Sequence, residues 1–289
     1  MANFSSDNQA AAHPAVLAAL SLCNEGTAPA YGQDRWSEAL TARMGGLFQC
    51  PVHVALTASG TAANALGLSL YTPSVGAIFC HEHAHIISDE YGAPGFFSGG
   101  GQMIGIGGQA GKITPEALAA TLAASSQKMV KPAMLSLSMA TENGTAYSVA
   151  ELMALCDMAH AAGMGVHVDG ARFANVAAAL GGAQILPRCG VDVLSFGATK
   201  SGCINAEAVV VFHPAPGVAE RMVLKSKQSG HSASKTRYQA AQFLAYLNDG
   251  LWLTLAGHAN SMATLLAGWM QQAAGLSPLY PVQANMVFY

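Results

Sequence analysis

One lysine stands in a turn built mostly from small residues, Ser195-Phe196-Gly197-Ala198-Thr199-Lys200-Ser201-Gly202-Cys203. An apolar run, 191–196, leads into it, so the long side chain must project into a cleft. An amine confined there loses solvation, its pKa falls, and the free base becomes available for Schiff-base chemistry. The bland reading is a solvated loop lysine. The small, apolar surroundings and a total of only 13 Lys and Arg in 289 residues count against it.

Three further segments carry chemistry. In His167-Val168-Asp169-Gly170-Ala171-Arg172, Asp169 falls at the C-terminal end of a buried strand, where α/β folds place ligands. A carboxylate there can hold a proton on a pyridine nitrogen, with Arg172 beside it; an ordinary ion pair is the alternative. In Thr57-Ala58-Ser59-Gly60-Thr61-Ala62-Ala63-Asn64, a strand turns into a helix and presents free N–H groups and a positive dipole end. That makes an anion site at Ser59, Gly60 and Thr61, most simply for phosphate, although Ser-Gly-Thr also makes a plain N-cap. The segment His81-Glu82-His83-Ala84-His85 matches H-E-x-x-H, but that metal signature needs both histidines on one helix face. Here it directly follows a strand. The preferred reading is a histidine at a strand end, stacking on a flat cofactor, and no metal site is expected. The Gly105-x-Gly107-x-x-Ala110 and Ser232-x-x-Lys235 patterns lack the companions that would give them meaning.

The elements that must position these groups alternate short apolar runs with helical ones. Strands are predicted at 53–56, 77–80, 134–138, 165–168, 191–196 and 208–212. Helices are predicted at 60–70, 113–124 and 149–162, then at 218–227, 234–247 and onward to residue 269. Thr114, Pro115 and Glu116 mark one helix start; Ser148 and Glu151 form a capping box at another, closed by Gly163. Apolar strands alternating with helices point to a mainly parallel sheet covered on both faces. Residues 280–289 read as a strand just beginning, so the C-terminal domain is expected to be incomplete.

Composition narrows the function. Apolar residues make up 52% and charged residues 10%, with a mean hydropathy of +0.31. No run of 18 apolar residues crosses a membrane, and no signal peptide is read at the N-terminus. A net charge of −3 gives no basic field for nucleic acid. The six cysteines are scattered without pair spacing, as expected of buried thiols in a reducing cytoplasm. So few charges suggest that partner subunits cover much of the surface.

Together these motifs resemble the threonine aldolase family of fold-type I pyridoxal-phosphate enzymes, closest to its low-specificity threonine aldolase and phenylserine aldolase branch. The carrying segments are Ser6-Asp7-Asn8 (extending back to Phe4), Tyr31-Gly32-Gln33-Asp34, Ser59 to Asn64, His83-Ala84-His85-Ile86, His167 to Arg172 and Ala198-Thr199-Lys200. The resemblance implies an aspartate aminotransferase-like α/β large domain over 31–247, after an N-terminal segment, 1–30. A small α+β C-terminal domain would begin at 248–289. It implies that Lys200 bonds the cofactor, Asp169 keeps its ring nitrogen protonated, Arg172 lies near the ring oxygen, and Ser59, Gly60 and Thr61 hold the phosphate. His85 would stack on the ring and Ser6 would help hold the substrate carboxylate. Tyr31 and Asp34 would lie near the site, reaching in from a neighbouring subunit of a homodimer or homotetramer.

The implied reaction is cleavage of a β-hydroxy-α-amino acid, such as threonine, allo-threonine or phenylserine, to glycine and an aldehyde. His85 or His83 is expected as the base, with Glu142 second. Where many members carry a further active-site histidine, this chain has Thr141-Glu142-Asn143-Gly144. The family's substrate-carboxylate arginine belongs beyond Tyr289. The alternatives are a pyridoxal-phosphate-dependent β-eliminating amino-acid lyase and a catalytically silent homologue.

Overall fold

The computed structural model describes residues 6–289; Phe4 and Ser5 of the N-terminal motif, and the start of the segment 1–30, lie outside the described residues. The strands are β1 (Val52–Thr57), β2 (Gly76–His81), β3 (Gln102–Ile106), β4 (Lys131–Ser138), β5 (Gly165–Gly170), β6 (Val193–Gly197) and β7 (Glu207–Phe212). They form one seven-stranded sheet in the order β1-β7-β6-β5-β4-β2-β3. All pairings are parallel except those of β7, which runs antiparallel to both β1 and β6. β2, β6 and β7 are buried at every position, which explains their continuous apolar runs.

The α-helices among the described residues are α1 (Pro14–Cys23), α2 (Arg35–Phe48), α3 (Gly60–Ser69), α4 (His85–Ser88), α5 (Ala93–Ser98), α6 (Pro115–Gln127), α7 (Val149–Ala161), α8 (Phe173–Leu180), α9 (Ile185–Arg188), α10 (Val218–Gln228), α11 (Arg237–Leu247) and α12 (Leu251–Ala274). They cover both faces of the sheet. Val193, Val209 and Val211 pack with Ala63 and Leu66 of α3 and with Met222 of α10. The alternate residues Leu194, Phe196, Ala208 and Val210 join the larger core on the other face, with Leu152 of α7 and Phe173 of α8. The period of two along each strand thus builds two apolar layers. No helix is long and apolar enough to cross a membrane among the described residues.

The strands and long helices expected from sequence are present with shifted ends. Ser148 and Glu151 make the capping box, and Thr114 caps α6. The expectation differs in three places. The Gly-rich tract contains β3, a half-exposed edge strand; a Cβ at Gly105 would come within 3.3 Å of the Glu82 backbone, so glycine there permits close approach rather than marking a loop. The short helices α4, α5 and α9 and the longer α1, α2 and α8 were not expected. The last has no side-chain cap to mark its start. Residues 280–289 form no strand. Their polar groups go elsewhere: Gln283 accepts from the Ala146 N–H (2.9 Å), Asn285 donates to Asp7 (3.1 Å), and one backbone bond links Leu279 to Phe288 (2.8 Å).

An aromatic cluster ties the site-bearing strands together. Phe196 of β6 lies 5.7 Å from Phe173, 5.6 Å from Phe243 and 5.8 Å from Trp252, and Phe48 lies 6.3 Å from Phe173, centroid to centroid. All five side chains are buried. Edge-to-face and tilted contacts at these separations hold the end of β6 against α8.

Candidate active site

Strands β1, β2, β4, β5 and β6 end at one edge of the sheet, and the antiparallel β7 begins there. A cavity of about 290 Å³ opens at that edge, at the lower end of the roughly 300–1,000 Å³ usual for ligand pockets. Of the residues predicted from sequence, Ser59, Gly60, Thr61, His85, Glu142, Asp169, Arg172 and Lys200 all line it.

Its floor is set by glycine. At Gly197 a Cβ would come within 2.8 Å of the Ala171 backbone and 3.0 Å of Glu207 Oε2, so only glycine lets β6 pass between them. Lys200 follows on a 3-10 turn, Thr199–Ser201. The turn is closed by Ala198 N–H to Ala206 O (3.0 Å) and Cys203 N–H to Ala198 O (3.1 Å), and Gly202 takes φ +125° to complete it.

On the opposite wall Ser59 caps α3, its Oγ accepting from Ala62 N–H at 3.2 Å. The N–H groups of Gly60 and Thr61 take no partner among the described residues. A Cβ placed on Gly60 would meet nothing closer than Glu207 Oε2 at 3.9 Å. This is an open cradle of two free donors at the positive end of a ten-residue helix.

Between these walls lies a network of buried polar groups. Asp169 Oδ1 accepts from Ala171 N–H (3.1 Å), and Oδ2 accepts from Asn64 Nδ2 (2.9 Å). The same Asn64 nitrogen donates to Glu90 Oε1 (2.8 Å), which also meets His85 Nδ1 at 3.0 Å. That bond to Glu90 raises the His85 pKa, against burial, with help from the charges of Asp169 and Glu142. His85, Glu90 and Asp169 could offer a cation three atoms within 4.8 Å of one another. The Asn64 amide already donates to both carboxylates, so the cluster carries its own bridging donor.

Glu142 and Glu207 both hold their protons above the usual carboxylate range. Burial raises Glu142, and Asp169 adds to it, while His85, Arg172 and Lys200 pull the other way. Burial pushes Glu207 up to about 7, against Thr199 hydrogen bonding and the charge of Lys200. Linkage fixes the sign of the consequence. The folded chain keeps the Glu207 proton between pH 4.5, the ordinary glutamate value, and about 7, while the unfolded chain has released it. Folding stability is therefore expected to fall as pH rises through this window, by about 3 kcal/mol in all, and to level off above it. Urea titrations of the cofactor-free chain across the window should show this slope, and Glu207→Gln should reduce it.

The remaining predicted residues lie outside this cavity. His83 does not line it; its backbone N–H donates to His81 Nδ1 at 3.1 Å. Asp34 is the N-cap of α2, accepting from the N–H groups of Trp36 (3.1 Å) and Ser37 (2.9 Å). Tyr31 is 57% exposed, with the Lys227 ammonium 5.4 Å from its ring, beside a separate cleft of about 760 Å³. Ser6 caps a 3-10 turn and borders a third cleft, shared with Arg172. Arg172 makes a two-pronged ion pair with Asp7, at 2.7 and 3.0 Å. Burial alone would raise the Asp7 pKa; Arg172, with Asn285, outweighs it and holds Asp7 below its usual value.

Among the lining residues that received no role from sequence, Asn64, Glu90 and Glu207 bear on the chemistry. Asn64 was part of the quoted helix-start motif, one turn past the cradle, where a side chain returns to the same face. Glu90 and Glu207 had no local signal. Of the six cysteines, all free, only Cys50 is not buried.

The Beta-eliminating lyase family matches residues 3–289. A low specificity L-threonine aldolase of Pseudomonas aeruginosa is 39% identical over 289 residues, covering 99% of this chain and 83% of its own. One from Pseudomonas sp. (strain NCIMB 10558) is 37% identical over 288 residues, with the same coverage. A solved threonine aldolase of Leishmania major superimposes with a TM-score of 0.90 at 25% identity, over 98% of this chain and 82% of its own.

Proposed function

The chain belongs to the Beta-eliminating lyase family, and from that premise we propose that it is a pyridoxal-phosphate-dependent aldolase cleaving β-hydroxy-α-amino acids to glycine and an aldehyde. One observation carries the reading: an amine (Lys200), a buried carboxylate (Asp169) and an unfilled pair of N–H donors (Gly60, Thr61) open on a single cavity. These are the three attachments a phosphorylated pyridine aldehyde needs. The cradle at Gly60, where a Cβ would meet nothing closer than 3.9 Å, would take its phosphate. When bound, the cofactor supplies an electron sink for the carbanion left by Cα–Cβ cleavage.

The chain's own groups do the rest. Lys200, through Nζ, is the residue that would hold the cofactor at its carbonyl carbon. Asp169 keeps a proton on the ring nitrogen; Ala171 N–H and Asn64 hold its two oxygens in place. The His85 ring forms the wall against which a flat ring stacks. Arg172 lies at the cavity rim, and Ser6, in the neighbouring cleft, is the group proposed for the substrate carboxylate. Tyr31 and Asp34 are proposed to serve a neighbouring subunit's site in a homodimer or homotetramer. The preferred substrates of this branch, threonine, allo-threonine or phenylserine, and a cytoplasmic setting complete the reading.

The β-hydroxyl proton needs an acceptor with a pKa near working pH. His85 and Glu142 both line the cavity, whereas His83 does not. Glu90 holds His85 Nδ1, which leaves Nε2 free, so His85 is the first choice. Its pKa lies above 6.5, and only the unprotonated ring accepts a proton. The kcat/KM profile is therefore expected to rise with pH through a limb above that value. His85→Asn should remove this limb and lower kcat by roughly 10²-fold or more; His83→Ala should leave both nearly unchanged. A limb that survives His85→Asn and disappears in Glu142→Gln would assign the base to Glu142.

The family description favours one rival, β-elimination. Product analysis separates the two. Aldehyde and glycine in equal amounts support the aldolase, and ammonia with a keto acid overturns it.

A further inference from the structure

The carboxyl of Glu207 faces the phosphate cradle and has no place in the chemistry above. It is 6% exposed, and its Oε2 lies 3.9 Å from where a Cβ on Gly60 would sit. It lines the same cavity as Ser59, Gly60, Thr61 and Thr199. The register fixes it there: Glu207 pairs with Thr57 on one side and Gly197 on the other, so it cannot withdraw without breaking the sheet edge. The two free α3 N–H groups attract an anion; an ionised carboxylate beside them opposes the same anion.

Resting on the proposed cofactor, we propose that Glu207 takes part in phosphate binding as a proton-bearing donor, and that the cradle's grip on a phosphate ester weakens as Glu207 ionises. A neutral carboxyl offers an O–H to a phosphate oxygen; a carboxylate offers only charge of the same sign. The groups facing Glu207 divide. Hydrogen bonding from Thr199, the charge of Lys200 on the same turn after β6, and the α3 dipole favour its ionised form. Asp169 on β5 disfavours it, as does burial. Cys203 and Tyr246 of α11 also feel its charge, and both are held protonated by burial. A bound phosphate adds its own negative charge and pushes the balance further toward the protonated carboxyl.

The test uses the full chain freed of cofactor and two probes that cannot bond Lys200: inorganic phosphate and pyridoxine 5′-phosphate, which lacks the aldehyde. Their affinities are measured by calorimetry on the unaltered chain and on Glu207→Gln, whose amide stays neutral and keeps an N–H donor. If the protonated carboxyl is the competent form and ionises near 7, pyridoxine 5′-phosphate affinity of the unaltered chain should fall roughly 20-fold between about pH 6.5 and pH 8.5. Glu207→Gln should flatten that fall and bind more tightly than the unaltered chain at the upper pH. A gain in affinity cannot come from misfolding. Parallel profiles for the two proteins, or weaker binding by Glu207→Gln throughout, would overturn the proposal while leaving the cofactor reading intact. Failure of both proteins to bind pyridoxine 5′-phosphate at any pH would overturn the cofactor reading, and this proposal with it.

Discussion

Lys200→Ala is expected to lose the visible absorbance of bound cofactor, to leave no borohydride-fixed label on the chain, and to lower glycine release by about 10³-fold or more. The magnitude follows from position. Lys200 is the only lysine lining the cavity among the described residues. The other lysines with assigned contacts are engaged elsewhere: Lys112 with Glu151 at 2.7 Å, Lys225 with the Phe97 carbonyl at 3.0 Å, and Lys227 over the Tyr31 ring. No neighbour can take over its amine. The substitution should cost little stability, because the turn is held by backbone bonds of Ala198 and Cys203 rather than by the lysine side chain. Peptide mapping of the reduced, unaltered chain should find the label on Lys200. A label elsewhere, or one that persists in Lys200→Ala, would sink the assignment.

How far the site was legible in the sequence depended on strand direction. Asp169 and Lys200 follow from a simple rule, because parallel strands deliver their C-terminal residues to the ligand edge. Apolar runs at 165–168 and 191–196 therefore point at them directly. Glu207 obeys the opposite rule. It is the first residue of β7, the single antiparallel strand, and nothing in a short apolar run reveals its direction. Glu90 failed for another reason. It reaches His85 across a five-residue separation, from just past the end of the four-residue helix α4, which is too short to show periodicity. His83 and His85 could not be told apart by spacing; what separates them is that β2 stops at His81 and a new helix begins at His85. Tyr31 and Asp34 carry a motif signal, yet within one chain Asp34 caps α2 and Tyr31 borders another cleft. The C-terminal residues read as a strand because they are apolar, but pairing is a property of the neighbours, and no sheet edge receives them.

Asp169→Asn is expected to lower kcat by about 10² to 10³-fold, the usual effect of removing one preorganised electrostatic partner, while the fold is retained or gains stability. The two halves of this result have one cause. Asn keeps the shape of the side chain, but its one carbonyl oxygen can accept from Asn64 or from Ala171 N–H and not from both, a cost set against the electrostatic relief below, and it carries no charge with which to hold a proton on a ring nitrogen. The charge it removes also adds, after burial, to the raised pKa of Glu142 and of Glu207. Both carboxyls should then ionise at lower pH, and the electrostatic strain of an acid-rich cavity should ease. A site that becomes slower as it becomes easier to fold is built for function at a cost in stability. The measurements are a steady-state rate, a urea midpoint and the pH dependence of that midpoint, taken together on one protein. Loss of rate with a lower midpoint and an unchanged pH dependence would mean that Asp169 holds the fold rather than the reacting ring, and the role given to it here would fall.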